Sequence, residues 1–460
     1  MRSVTTRAWL VGMCLLGALP GTVSGQRVVA TDYPTLQAAV DALPSRMGEV
    51  YLPEGTYVLN ATLDLTLDSG YGGGIKLTGA GKASRIVPKT HGQPAIDLTG
   101  ASHCFLQDLS IDARTGTIAV AEAPNVGLLL ARRSDGWAAQ EHRFDRVTIE
   151  GYFTVANVYD LTSELNRFTG CTFVNTAPGG HNVVWTHENF AGVTSPYRGT
   201  PRNLYSTTEF RMIACSLCNR GGAGSANFYG IGFSMDVTVR DCRLIPSAGG
   251  DAVFLGTSSL GGPVRGVDFD GLCIAGENAA AVFRVEGRTE SVTIRNSSLT
   301  YGTGPLLDAE SLIRFTFENN DVQSVAGWNT AIEAGSLSDG LIRNNRFSFP
   351  RIGGQDPEPG EALILSAATV SGSWIQAPAR ADVSIANRIQ TIIEALDEQG
   401  IRRRYLEDGD RGCTLNATPV DSAAVTNAQL GDVVLDDGSN TAGGDLGLMV
   451  YDGTDWVPMN

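Results

Sequence analysis

Two short segments carry charged residues two positions apart, and a third that aligns with them carries one. AVFRVEG (281–287) holds Arg284 and Glu286, PLLDAES (305–311) holds Asp308 and Glu310, and TAIEAGS (330–336) holds Glu333. Each alternates apolar and polar residues, the period of a β-strand, so charges two apart share a side. Two earlier segments, NVVWTHE (182–188) and AVFLGTS (252–258), align with them. In that alignment Val184, Phe254, Phe283, Leu307 and Ile332 fall in one column, and Thr186, Gly256, Val285, Ala309 and Ala334 in another. Neither column holds a charge, so this phase is expected to face the core. The opposite phase collects His181 and Asp251, then Trp185, Arg284, Asp308 and Glu333, then His187, Glu286 and Glu310.

If these strands pair side by side, equivalent residues stand ~4.8 Å apart. Glu286 and Glu310 then form a close carboxylate pair, with Arg284 and Asp308 beside it. Two close carboxylates resist joint ionisation, which leaves one protonated. An acid beside a nucleophile is the arrangement of a retaining glycosidase. The same oxygens, from Asp308, Glu310 and Glu286, also suit a calcium ion. A solvated charge ladder with Arg284 paired to Asp308 explains them equally well. Trp185, with Tyr197 and Tyr205 of the long insertion after His181, offers rings on which a sugar can stack. Long loops on rigid scaffolds often carry binding.

The elements that must position these groups repeat along the chain. FLQDLSI (105–111), FDRVTI (144–149), FTGCTF (168–173), MIACSL (212–217), VTVRDCRL (237–244), VDFDGLCI (267–274), VTIRNSSL (292–299), FTFENNDV (315–322) and LIRNNRF (341–347) share one pattern. A strand-sized unit at a short period cannot bury its own apolar face, and stacked coils solve that problem. The spacing predicts an all-β chain, a right-handed parallel β-helix. Two residues before each final apolar residue stand Leu109, Val147, Cys171, Cys215, Cys242, Leu272, Ser297, Asn320 and Asn345. This column is expected to point inward, with unpaired thiols stacked as small hydrophobes and the Asn pair forming an amide ladder.

The chain has 460 residues, 55 Gly, eight Cys and a net charge of −15. The acidic balance, with only Arg402–Arg404 as a basic run, argues against nucleic-acid binding. Residues 1–25 read as a secretory leader: Arg2 and Arg7, an apolar stretch over 8–19, then small residues before Gln26. That stretch is too short to span a bilayer, and no other segment reads as transmembrane. Without Cys14 seven Cys remain, an odd number that does not read as a disulfide framework. Cys215 and Cys218 form a lone CxxC without a second ligand pair for a metal.

Residues 34–43 place Leu36, Ala39, Val40 and Leu43 on one helical face, expected to cap the solenoid. With the strands that follow, QAAVDALPSRMGEVYLPEGTYVL and IKLTGAGKASRIV resemble the N-terminal part of the pectate lyase-like superfamily. That group contains secreted polysaccharide lyases, glycoside hydrolases and phage tailspikes. The resemblance implies a secreted or cell-surface protein that processes a polysaccharide as lyase or hydrolase. Calcium with a nearby Arg, as in pectate lyases, is relevant to Arg284 and Asp308. Gly250-Asp251 resembles part of the polygalacturonase pattern, but the second Asp and the GHG and RIK-type partners are missing. The other readings are a tailspike-like or cell-surface carbohydrate-binding trimer and a structural surface protein. Ile385, Ile389, Ile392 and Leu396 follow a 4-3-4 spacing that predicts a helix over 381–402, similar to the trimerising helices of phage fibres. The expected organisation is a leader over 1–25, a β-helix over 26–375, this helix, and a β-rich tail over 403–460.

Overall fold

The structure is a computed structural model. It describes residues 26–44, 47–66, 74–186, 191–193, 207–232, 234–259, 262–351, 355–356, 362–379, 383–389, 391–396, 402–408, 411–413, 433–436, 447–451 and 456–458. The expected leader, His187, Tyr197 and Tyr205 lie outside the described residues.

Each coil of the solenoid contributes one strand to each of three faces, and every strand pairs in parallel with its equivalent in the next coil. The first face contains Phe105–Gln107, Arg143–Asp145, Arg167–Thr169 and Arg211–Ile213. The second contains Ser110–Ala113, Thr148–Gly151, Thr172–Asn175 and Ser216–Asn219. The third contains Val126–Ala131, Ala156–Leu161, His181–Thr186, Ala226–Ile231 and Asp251–Gly256. It continues through Ala281–Arg295, Leu307–Ile313, Ile332–Ser338, Leu365–Ser371 and Val383–Ile389. Ala281–Arg295 runs round a corner and pairs on both the third and first faces.

The polar pair inside each repeat makes the corner between the first and second faces. A single residue there takes a left-handed conformation in coil after coil: Asp108, Arg146, Gly170, Ala214, Asp241, Gly271, Asn296, Asn319 and Asn344, with φ between 52° and 67°. Asp, Asn and Gly visit this region most readily, which is why they dominate the position. The sharp corner takes one backbone N–H out of the regular ladder, and where the residue after the corner in the following coil is Cys, Ser or Asn, its side chain accepts it. Cys171 N–H donates to Cys215 Sγ at 3.3 Å, and Cys215 N–H to Cys242 Sγ at 3.4 Å. Further along, Leu272 N–H donates to Ser297 Oγ, Ser297 N–H to Asn320 Oδ1 and Asn320 N–H to Asn345 Oδ1 at 2.9 Å. Asn320 Nδ2 also donates to Asn345 Oδ1 at 3.0 Å, the expected amide ladder. The three thiols are buried and free. Thiol, hydroxyl and amide are interchangeable here because each presents a compact acceptor.

A second series of left-handed residues, including His103, Glu141, Leu165 and Glu209, turns the chain from the third face back to the first. There Cys104 N–H donates to His142 Nδ1, and His142 N–H to Asn166 Oδ1, both at 3.1 Å. At the N-terminal end the helix is Leu36–Asp41, capped by Thr35 Oγ1, and it buries Leu36, Ala39 and Val40. Its Gln37 side chain bonds both ways to the backbone of Asp64, at the edge of strand Leu63–Asp64.

The region 381–402 differs from expectation. Val383–Ile389 is a strand that continues the third face, and Thr391–Leu396 continues the first. Val383 and Ile385 are buried in period two, as are Ile393 and Ala395. The preceding coil offers an unpaired strand edge, and a two-heptad seam is too short to hold a helix against it. Among the described residues these strands take the place of the expected coiled-coil seam. Arg402–Asp408 then pairs antiparallel with Thr391–Leu396, ending the parallel stack. In the tail, Val433–Asp436, Gly447–Tyr451 and Trp456–Pro458 form a small antiparallel sheet. Among the described residues no helix is long and apolar enough to cross a membrane.

Candidate active site on the third face

The third-face register differs by one residue from the sequence alignment for His181–Thr186 and Asp251–Gly256. Val183, Phe228, Val253, Phe283, Leu307 and Ile332 form one inward column. Trp185, Gly230, Leu255, Val285, Ala309 and Ala334 form the other. A one-residue slip exchanges the two sides of a strand. Val184 and Phe254, expected inside, therefore point out. Trp185, expected outside, is fully buried against Phe210 and Phe228. It is a core residue and not a sugar platform.

The outward column runs Tyr159, Val184, Tyr229, Phe254, Arg284, Asp308 and Glu333. Its beginning is covered: Tyr159 and Val184 belong to a second apolar cluster that includes Val193 of the long insertion. The surface opens at Tyr229, which is half-buried and stacks on Phe254 with ring centroids 4.5 Å apart and planes 7° apart. Tyr229 and Phe254 are the aromatic pair that sequence reasoning missed. The repeated Ala-Val-Phe in 252–254 and 281–283 suggested that the two Phe residues share a column, but they do not.

His181 lies beside this stack, its ring 4.4 Å from Tyr229 and only 3% exposed. Its Nδ1 accepts the Ala226 N–H at 3.1 Å, and burial lowers its pKa to about 4. It is a neutral wall of the site at ordinary pH. Burial, and secondarily the Glu286 carboxylate, pushes the Tyr229 hydroxyl above its usual value.

Beyond the rings, one guanidinium joins two carboxylates. Arg284 Nε donates to Asp251 Oδ2 at 3.1 Å, and Nη1 to Asp308 Oδ2 at 2.9 Å. Asp251 Oδ1 also accepts the Ala281 N–H at 3.1 Å. The Asp251 side chain is 12% exposed and that of Asp308 43%. Burial raises the Asp251 pKa and outweighs the opposing pull of Arg284 and the Ala281 N–H. Burial also works against the Arg284 charge, but Asp251, Asp308 and Glu286 together hold its pKa above the ordinary value.

Glu286 and Glu310 are both exposed, but a bulge separates their register. Val285 pairs with Ala309 and Arg288 with Ser311, so Glu286 and Gly287 together face Glu310. The Gly287 N–H donates to Glu310 Oε2 at 2.8 Å, and Gly287 takes φ +77°, a conformation open to glycine. Glu333 stands outward next to Asp308 and is exposed.

This arrangement does not fit calcium. Asp308 is committed to a guanidinium and Glu310 to a backbone N–H. Among the described residues no three His, Cys, Asp or Glu side chains converge to hold an ion. A calcium ion takes six to eight oxygen ligands.

No family model matches the chain, and no curated protein matches it. Solved structures do. A cysteine-to-alanine mutant of DFA-IIIase from Arthrobacter chlorophenolicus A6 is 12% identical with a TM-score of 0.50, over 82% of this chain and 100% of that one. The A-module of mannuronan C-5 epimerase AlgE4 from Azotobacter vinelandii is 12% identical with a TM-score of 0.42, over 80% and 97%. ORF18 of Geobacillus virus E2 is 13% identical with a TM-score of 0.43, over 94% and 86%. At such identities the likeness is one of fold. The three-faced stack of parallel strands and the likeness in fold to DFA-IIIase lead to one conclusion: the chain has a parallel β-helix fold.

Proposed function

We propose that the protein binds and cleaves a polysaccharide on the third face, by carboxylate chemistry of the glycoside hydrolase type. The supporting observation is the Asp251–Arg284–Asp308 group at the end of the Tyr229–Phe254 stack. Two carboxylates are fixed by one guanidinium, one buried and one open; burial raises the pKa of Asp251, and a carboxyl so raised can act as the acid beside a second carboxylate. Asp251 keeps its proton to higher pH and serves as general acid. Asp308, more exposed, is the second carboxylate, and Glu286 and Glu310 flank the cleft. The outward edges of the stacked Tyr229 and Phe254 rings give the sugar its apolar contact, replacing Trp185 in that role.

The charge balance selects against a lyase. A lyase acting on a uronate needs a free cation to neutralise the substrate carboxylate, but Arg284 is already shared by two carboxylates. With Asp251 protonated as the acid, Glu286, Asp308, Glu310 and Glu333 against Arg284 give four negative charges and one positive, a net −3 that repels an acidic polymer. The substrate that fits is a neutral glycan. Secretion rests on the leader expected over residues 1–25.

The test is to incubate the protein with neutral and acidic polysaccharides and analyse the products. New reducing ends from a neutral glycan, lost in Asp251→Asn, are expected. A 4,5-unsaturated product would make the protein a lyase instead. Binding without any product would leave the aromatic stack as the site of a carbohydrate-binding surface protein.

A further inference from the structure

The first face carries a second cluster that the third-face reading does not use. Arg143, Arg167 and Arg211 stand directly opposite one another on three successive strands. All three are exposed, and rungs of this kind lie ~4.8 Å apart. Like charges directly opposite on neighbouring strands are destabilising. The same face avoids this elsewhere: Arg240, Asp270, Arg295, Glu318 and Arg343 alternate in sign and form ion pairs along the stack. Among the described residues no carboxylate forms an ion pair with Arg143 or Arg167. Arg211 has Glu209 at 3.6 Å.

The three arginines line a hollow of about 500 Å³ at the corner between the third and first faces. Two carboxylates also line it, Glu209 and Glu141, and Glu141 is held by His103 Nε2 at 2.7 Å. Phe105 precedes Arg143 in the same column and closes the row with a half-buried ring. Lys76, one coil further, lies 5.6 Å from the centre of that ring.

We propose that this row is a binding site for an extended acidic polysaccharide, a polyuronate, lying parallel to the solenoid axis. The rung spacing is close to the length of one pyranose unit in an extended chain, so the carboxylates on the side of the chain that faces the row meet guanidiniums along it. A guanidinium matches a carboxylate with two parallel hydrogen bonds. Phe105 provides an apolar face at the end of the row for a sugar ring. The site is independent of the third-face chemistry and lies on another face. It anchors the protein to an acidic matrix while the third face works on a neutral glycan.

The experiment is calorimetric titration of the full chain with oligogalacturonate and with a neutral glucan of equal length. Oligogalacturonate is expected to bind at low salt and to weaken as salt rises. Replacing all three arginines by Gln should weaken binding about tenfold or more, and Arg167→Gln alone several-fold, with melting temperatures unchanged or raised, since like charges are removed. Asp251→Asn should leave this binding untouched, which separates it from the third face. Absence of oligogalacturonate binding by the unaltered protein would overturn the proposal. So would equal affinity in the triple variant, or equal affinity for the neutral glucan.

Discussion

Gly230 lies directly opposite Trp185 in the inward column of the third face, and a Cβ on Gly230 would come within 2.2 Å of the indole ring. The largest side chain of the core is thus admitted by the smallest. Gly230→Ala should force the ring from its place and cost about 1–3 kcal/mol, the range for overpacking. Trp185→Ala should cost more, about 3–5 kcal/mol, through the cavity it leaves. Thermal melts of the two variants check this. An outward Trp185 would leave both melts nearly unchanged.

The stack of nine repeats was readable because alternation and corner residues recur together. Every residue of the inward column from Leu109 to Asn345 follows a left-handed corner residue, so a local pattern and a long-range register carried the same information. The third face lacked that second marker. Its strands begin after loops of varied length, and Ala-Val-Phe occurs twice with a one-residue offset, so Phe254 was aligned with Phe283 instead of Val253. Arg284, Asp308 and Glu333 were placed correctly because their three strands share one register. Asp251 was found, but not its bond to Arg284, since one residue of register decides whether the two side chains meet. The C-terminal strands were misread because Ile385, Ile389, Ile392 and Leu396 satisfy a heptad, while the edge left by Leu365–Ser371 is a tertiary fact.

Cys171, Cys215 and Cys242 should resist small thiol reagents in the native protein. All three are buried, and the contacts of Cys215 with Cys171 and Cys242, together with burial, raise its pKa and keep the thiol protonated. The thiolate is the reactive form. Cys273 is exposed and serves as an internal control. Mass mapping after brief labelling should show Cys273 modified and the three stacked thiols untouched. Rapid modification of all three would mean that the column does not face inward.

Acid should weaken the fold through His142. It is fully buried, and burial lowers its pKa from 6.5 to about 3. Between those values the unfolded chain binds a proton there that the folded chain does not, so stability rises with pH across that window. His181, lowered to about 4, acts in the same direction. Stability is therefore complete above about pH 6.5 and declines as pH falls towards 3. Asn at position 142 offers an acceptor to the Cys104 N–H without a titrating ring, as Asn166 already does for the His142 N–H. The melting temperature of His142→Asn should fall less steeply between pH 6.5 and 4. A slope equal to that of the unaltered protein would show that the acid sensitivity lies elsewhere.

The proposed division of labour on the third face predicts different kinetic signatures for neighbouring residues. Phe254→Ala removes an apolar contact with the sugar but no acid or base, so KM should rise while kcat changes little. Loss of uniform binding has that signature. Asp251→Asn removes the acid and should lower kcat by roughly 10²–10⁴, the range for general acid–base catalysis. Asp308→Asn should also act mainly on kcat, because Asn cannot supply a carboxylate to the reacting centre. Glu310→Gln is the discriminating case. Its Oε2 accepts the Gly287 N–H, and a Gln carbonyl oxygen can accept the same bond, so the bulge should survive. Turnover within a few-fold of the unaltered protein would then place Glu310 as a support for the strand. A loss as large as that of Asp251→Asn would instead place the reacting centre at Glu286 and Glu310, and Asp251–Arg284–Asp308 would be a structural charge network.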